Sequence, residues 1–237
     1  MVQKKERLEK LLSRLGYGSR KDVPYWIREG WITVAGEMAQ SASQKVVAGD
    51  VLLEGQPLDY ADGLTVVYNK PIGTVCSRKE DGRLIYADFP ERWLSRKPAL
   101  SSVGRLDKDT SGLLIITDDG QLNHNLTSPK HGISKTYDVI LDKPLAGNEV
   151  ALFASGSLML EADDTPCKAA ELSILDEHHV TLVLHEGRYH QVRRMFAAVG
   201  NHVSSLSRTH IGDLSLAALQ LEPGQYQCME DEIGRAH

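Results

Sequence analysis

Cysteine is scarce in this chain, and what there is forms no working pattern. Cys76, Cys167 and Cys228 are odd in number and far apart, so they make no CxxC pair and no disulfide framework. That usage points to a reducing compartment, and a cytoplasmic location is expected. No apolar run approaches the roughly 18 residues that span a bilayer, so no membrane partner is expected. The opening Met-Val-Gln-Lys-Lys-Glu-Arg is charged and has no apolar stretch of the kind a secretory signal needs. Neither a Walker loop nor a G-x-G-x-x-G is present, and Ser111 lacks a nucleophile elbow. Nucleotide-dependent and serine-hydrolase chemistries therefore lose their usual signatures.

An overall excess of positive charge is also missing. The 237 residues carry a formal net charge of −5, which taken alone argues against a nucleic-acid partner. The distribution says more than the sum. Residues 1–31 hold eight Lys/Arg against four Asp/Glu, and residues 183–210 hold four Arg and four His against one Glu. The acids gather at 140–180, eight against two Lys, and in the tail from Asp213. An acidic chain can thus present two basic faces, although solvated helix faces would give the same counts. At 41% apolar and 25% charged, the composition is that of an ordinary soluble globular protein with room for one large or two smaller domains.

Helical and extended patterns alternate along the chain. Leu8, Leu11, Leu12 and Leu15 mark one stripe of a helix within 4–15, stopped by Gly16. A second helix is expected from an N-cap at Ser19, with Asp22 at N3, Val23, Trp26 and Ile27 inward, and Gly30 as its stop. Pro24 sits badly in that frame, because a mid-helix ring clashes with the carbonyl four residues back. Trp31–Val34 and 46–54 read as short strands of a small hairpin, and Pro57–Gly63 as a linker. Further strands are expected at 64–68, 111–117, 135–141 and 180–184, and helices near Gln121 and over 190–199. The mixture lacks regular βαβ alternation. The fold class expected is α+β, a mostly antiparallel mixed sheet flanked by helices.

The most informative stretch runs from Gly104 to Thr117, Gly-Arg-Leu-Asp-Lys-Asp-Thr-Ser-Gly-Leu-Leu-Ile-Ile-Thr. It sets Asp107 in a Gly-flanked polar turn directly before a continuous apolar run, a carboxylate at the mouth of a buried strand. Three rival readings compete here. Asp107-x-Asp109-x-Ser111-Gly112 mimics the start of a calcium loop, but Asp118 stands where a bidentate Glu belongs and the flank is strand-like. Asp107 and Asp109 could serve as paired glycosidase carboxylates, though two acids in a turn are common by chance. His185 and His190 lie five apart with a Gly between them, which is not zinc-protease spacing. No metal is expected.

G-R-L-D-x-x-T-S-G-L-L resembles the active-site signature of the pseudouridine synthases, RNA-modifying isomerases. The resemblance extends to Val67–Gly73, with its Lys-Pro pair; to Lys135-Thr136-Tyr137; and to Glu186–Phe196, Glu-Gly-Arg-Tyr-His-Gln-Val-Arg-Arg-Met-Phe. The N-terminal helix pair, with Ser19-Arg20 and Ile27-x-x-Gly30-x-Ile32-x-Val34, resembles the S4 RNA-binding domain. Two domains are implied, an S4-like module over 1–60 and a catalytic domain over 61–237.

The resemblance implies an Asp107 nucleophile, an active-site Tyr137 that stacks on uracil, and an Arg193 that pairs with Asp107. It also implies an Arg105 that fills the gap left by a flipped base. Lys70, Arg188, His190, Arg7, Arg20, Lys21 and Arg28 are the further RNA-facing candidates. No cofactor is implied, since uridine and pseudouridine are isomers. The expected partner is ribosomal RNA, either 16S rRNA at uridine 516 or a small-subunit assembly intermediate, with the protein a monomer. A 23S rRNA synthase and a non-catalytic ribosome assembly factor are the alternatives.

Overall fold

Four leucines at helical spacing do in the structure what their pattern predicts. Leu8, Leu11, Leu12 and Leu15 are all fully buried, three of them on helix α1 (Leu8–Arg14). The chain turns at Gly16, whose φ of +83° suits a residue without a side chain; a Cβ there would lie 2.3 Å from the Arg92 carbonyl. The computed structural model describes residues 5–229 apart from Arg78 and Glu80. The outer limits at 1 and 237 and the end of the acidic tail lie outside these residues.

Helix α2 (Val23–Arg28) begins later than its pattern suggests, and this resolves the Pro24 problem. Asp22, not Ser19, is the N-cap, and Pro24 falls in the first turn, where no N–H is needed. The Asp22 carboxylate instead accepts the Ser19 backbone N–H at 2.7 Å. Behind the helices, strands β1 (Ile32–Val34), β2 (Glu37–Met38), β3 (Val51–Leu53) and β4 (Gln56–Pro57) form an antiparallel sheet in the order β2-β1-β3-β4. Pro57 is tolerated because β4 is an edge strand. Val23, Ile32 and Val51 join the leucines in one core, with Trp26 and Ile27 packed against it.

The expected linker at 57–63 is ordered structure. Asp59 accepts hydrogen bonds from the Arg92 guanidinium through both carboxylate oxygens, from Trp93 Nε1 at 3.2 Å and from Tyr17 Oη at 2.9 Å. Arg92 and Trp93 belong to α3 (Glu91–Leu94), which no local pattern announces. Accordingly one compact unit comprises the chain through Thr65 together with Tyr86–Ser101 and Thr117–Gly120. In that unit Asp118 accepts the Leu64 N–H at 2.8 Å and Arg96 Nε at 2.7 Å, a buried ion pair.

The second unit is built on a nine-stranded sheet. Its main strands are β5 (Thr65–Lys70), β6 (Ser111–Thr117), β7 (Lys135–Leu141), β8 (Glu171–Ile174), β9 (His179–Leu184), β10 (Val203–Ile211) and β11 (Tyr226–Met229), in the order β8-β9-β7-β10-β6-β5-β11. The pairs β8/β9, β9/β7 and β7/β10 are antiparallel, while β10 and β6 run parallel. Leu113 to Ile116 are buried on both faces of β6, which explains their unbroken apolar run. Helix α4 (Gln191–Ala198) buries Val192, Met195 and Phe196 against β7, β9 and β10, as its spacing predicts.

Two local devices shape the middle of this sheet. Gly112 (φ +105°) lies so close to β10 that a Cβ would stand 2.3 Å from the Arg208 carbonyl and 2.7 Å from its nitrogen. Any side chain there would force the parallel pair apart. On the other side of β10, the register with β7 shifts between Thr136 and Tyr137. Such a bulge re-aims the side chain beside it.

The Asp59 cluster gives the first prediction. Burial works against its negative charge, but Arg92, Trp93 and Tyr17 outweigh burial and hold the carboxyl at about 2. A depressed folded-state value means the stabilisation is complete above the ordinary value of 3.8 and is lost as pH falls through about 2. Asp59→Asn should therefore destabilise the protein by about 1–3 kcal/mol at neutral pH. In urea titrations at stepped pH, the gap to wild type should close between pH 4 and 2. A gap that stays constant to pH 2 would rule out this role.

Candidate active site

The turn after Leu106 is held from below by a buried cation. Lys70, at the end of β5, is wholly buried. Its Nζ donates to the carbonyls of Asp107 at 3.0 Å, Thr110 at 2.8 Å and Pro71 at 3.2 Å. An ammonium has three donors, and here all three are used. Burial pushes the Lys70 ammonium down, and the charges of Cys76, Asp107 and Asp109 pull it partly back. The expectation that Lys70 faces RNA is thus corrected: it braces the backbone that carries Asp107. The Thr110 N–H closes the turn onto the Asp107 carbonyl at 3.1 Å, and the Gly73 N–H binds the Lys108 carbonyl at 2.7 Å.

A second brace comes from α4. Arg193 Nη2 contacts the Asp109 carbonyl at 3.1 Å and its carboxylate at 3.0 Å, while Nη1 donates to the Val203 carbonyl at 2.8 Å. Arg193 therefore pairs with Asp109 rather than with Asp107 as expected. Its other anchor, the Val203 carbonyl, lies at the start of β10. The Asp107 carboxylate meets His190 instead, with Nε2 3.3 Å from Oδ1. His190 caps α4 in a left-handed conformation (φ 47°, ψ 35°), and its ring stacks on that of Tyr189 at 3.8 Å between centroids.

The segment that presents His190 is bonded to itself. Gln191 donates to Glu186 at 2.7 Å and accepts the Arg188 N–H at 2.9 Å. Arg188 reaches Glu186 at 3.3 Å, Asp163 at 2.9 Å, and the carbonyls of Thr165 and Pro166. Arg194 shares Asp163 at 2.7 Å. Arg188, one of the expected RNA-facing residues, is thus half-buried with its donors engaged inside the protein. The Glu-Gly-Arg-Tyr-His-Gln run owes its residue types to this network, which leaves Tyr189 as the exposed tip.

Asp107, Tyr137 and His190 line one cavity of about 410 Å³, within the range of small-ligand sites. Arg105, Lys135, Arg188 and Arg208 complete its polar wall, and Leu126, Leu184, Val192 and Ile211 are among its apolar residues. The Asp107 side chain is 31% exposed, accessible yet flanked by protein. Arg105 is exposed at this edge. Sequence reading missed Arg208; in its strand it shares a phase with buried Leu206 but not with buried Val203 and Ile211, so no regular alternation marked it.

Neither rival metal reading finds support in the geometry. Among the described residues, no group of three or more His, Cys, Asp or Glu side chains could hold a metal ion. Of the N-terminal cations, Arg7, Arg20, Lys21 and Arg28 are all exposed, with Arg28 placed 5.9 Å over the Tyr25 ring and Arg7 4.0 Å from Glu9.

The lysine brace is testable directly. Lys70→Met keeps the length and removes all three donors, so the Thr110 carbonyl loses its lysine partner while the carbonyls of Asp107 and Pro71 keep only the Thr110 N–H and the Thr74 hydroxyl. The free energy of unfolding should fall by about 1–3 kcal/mol. Equilibrium urea denaturation measures this; unchanged stability would mean the three bonds do not hold the turn.

Comparison with known proteins places the chain in a family. The family profile described as RNA pseudouridylate synthase matches residues 64–198, and the S4 domain profile matches residues 6–52. The chain is 40% identical to the ribosomal small subunit pseudouridine synthase A of Escherichia coli K12, over 95% of this chain and 97% of that one. Identity to the protein of the same description from Haemophilus influenzae is 42%, over 93% and 94%. A crystal structure described as a pseudouridylate synthase superposes with a TM-score of 0.66 at 40% identity, covering 95% of this chain and 96% of the other. The carboxylate turn, the Tyr strand and the self-bonded His segment thus lie within a matched domain, and this chain belongs to the RNA pseudouridylate synthase family, with an S4 domain at its N-terminus.

Proposed function

We propose that this protein isomerises uridine to pseudouridine in small-subunit ribosomal RNA, with Asp107 as the nucleophile. The carrying observation is the placement of an accessible Asp107 carboxylate on one cavity wall with Tyr137 and His190, on a turn braced by Lys70 and Arg193. The rRNA class is supported by near full-length relatives described as small-subunit synthases. Uridine 516 of 16S rRNA is the specific target proposed, on the strength of that resemblance.

The chemistry balances without a cofactor. An Asp107 oxygen bonds to C1′ as the N1–C1′ bond breaks, and the electron pair leaves on the uracil ring. The ring turns, C5 bonds to C1′, and the pair of the Asp107–C1′ bond returns to the carboxylate. C5 then loses a proton and N1 gains one, so the product is an isomer and Asp107 is regenerated. Tyr137 offers a ring face to the uracil and a hydroxyl for the C5 proton. His190 steadies the carboxylate, taking the place first expected of Arg193. Arg105, exposed at the cavity edge, fills the stack vacated by the flipped nucleotide, whose extrusion costs a few kcal/mol.

Asp107→Asn should abolish pseudouridine formation on target rRNA while thermal unfolding stays near that of wild type. Asp109→Asn retains the carbonyl that Arg193 also binds and should lose only about tenfold. The readout is site-specific pseudouridine mapping after incubation with 16S rRNA or small-subunit particles. Turnover by the Asp107→Asn variant, with deamidation excluded, would sink the nucleophile assignment. Equal losses in the two variants would favour a two-carboxylate reaction.

The N-terminal unit supplies phosphate contacts in this proposal. Arg20 and Lys21 are exposed just before α2, so reversing both charges should weaken RNA binding without disturbing the core. The log–log salt slope should flatten by roughly one unit for each phosphate no longer neutralised. Binding titrations at several salt concentrations decide the matter; an unchanged slope would remove these residues from the interface.

A further inference from the structure

Arg208 is a cation buried at the cavity, and the protein leaves it uncompensated. The residue is 3% exposed. Its Nε donates to the Leu113 carbonyl at 2.8 Å, while Nη2 is buried with no hydrogen-bond partner. No carboxylate of the described residues forms an ion pair with it. Burying a guanidinium with an unused N–H costs free energy that a bound acceptor would return.

The sheet places this group deliberately. In the register of β10, Arg208 stands opposite Tyr137 of β7 on one side and Gly112 of β6 on the other. Gly112 permits the approach, since any Cβ would collide with the Arg208 backbone. The charge also reaches the cavity. The Lys135 ammonium, another lining group, is pushed down first by burial and then by the nearby Arg208 and Lys168 charges. The Asp107 carboxylate lines the same cavity and lies beside His190, with Nε2 3.3 Å from Oδ1.

We infer that Arg208 donates to a carbonyl oxygen of the target uracil and stabilises the negative charge on the ring once the N1–C1′ bond has broken. This rests on the isomerase reading above. On cleavage the electron pair passes into the ring and is shared among N1, O2 and O4. Arg208 exchanges neither proton nor electron and stays protonated throughout. A buried donor beside a stacking tyrosine suits a flat base with an edge-on carbonyl, whereas a phosphate suits exposed cations. Preorganised donors of this kind act where charge develops, so the effect belongs to the rate and not to affinity.

The test is single-turnover kinetics at saturating enzyme, on target RNA carrying uridine, 2-thiouridine or 4-thiouridine. Arg208→Gln should slow uridine conversion by about 100-fold or more, with RNA affinity changed less than about threefold. Sulfur accepts hydrogen bonds weakly, so with one of the two thio substrates even the wild-type enzyme makes no effective bond. On that substrate the Arg208→Gln defect should shrink below about tenfold. Full activity, a defect confined to affinity, or the same defect on all three substrates would each overturn the inference. If the Arg208→Gln variant does not fold, Arg208→Lys is put through the same comparison with the same criteria, because one ammonium on a shorter stem cannot serve both Leu113 and the substrate. Asp107→Asn run alongside separates the two claims. Turnover by that variant removes the isomerase reading, whereas an inactive Asp107→Asn beside a fully active Arg208→Gln removes only the role of Arg208.

Discussion

The ammonium of Lys70 is the contact on which the rest of the site depends. Three carbonyls of a tight turn converge on one buried cation, and one of them is the carbonyl of Asp107 itself. The turn's own closure rests on the Thr110 N–H, and the Gly73 N–H adds a bond to the Lys108 carbonyl. Arg193 then pins the adjacent Asp109 from α4, so β5 below and a helix beside it fix the same four residues. Positional precision at a reacting atom is worth several kcal/mol in a barrier, and rigid elements supply it better than loops do.

The same economy governs the sheet. Gly112 lets β6 and β10 approach until no side chain fits between them, and the shift at Thr136/Tyr137 re-aims the strand on the far side of β10. Arg208 is caught between these two irregularities. A regular sheet would alternate side chains evenly to its two faces; here a missing Cβ and a bulge gather Tyr137, Arg208 and the Asp107 turn around one cavity.

Charge counting by segment agrees with the exposed cations of the N-terminus and misleads over residues 183–210. Arg188 and Arg194 are neutralised by Asp163 and by carbonyls, and Arg193 by Asp109. Asp163 comes from the acidic stretch that looked like a separate feature of the sequence. The basic face there is smaller than its residue count, and its cations mostly fix geometry.

The sequence by itself determined the elements whose period is local. The leucine stripe of α1, the inward face of α4 and the buried run of β6 all lie where their spacing puts them, because 3.6- and 2-residue periods are set by neighbouring residues. The signature around Asp107 likewise marked the carboxylate. Tertiary structure alone decided the partners. Lys70 and Asp107 are 37 residues apart, Arg193 and Asp109 84, and Arg208 and Leu113 95, so no window of sequence holds both ends of any of these bonds. Pro24 and the 57–63 segment were misread for the same reason. A helix start and a linker look alike in one dimension, and their difference lies in where Asp22 caps and where Asp59 finds Arg92. Which side chain meets the Asp107 carboxylate, which cation holds the backbone and which buried N–H groups are left open are settled by packing, since a buried donor must take whatever acceptor the fold brings within reach.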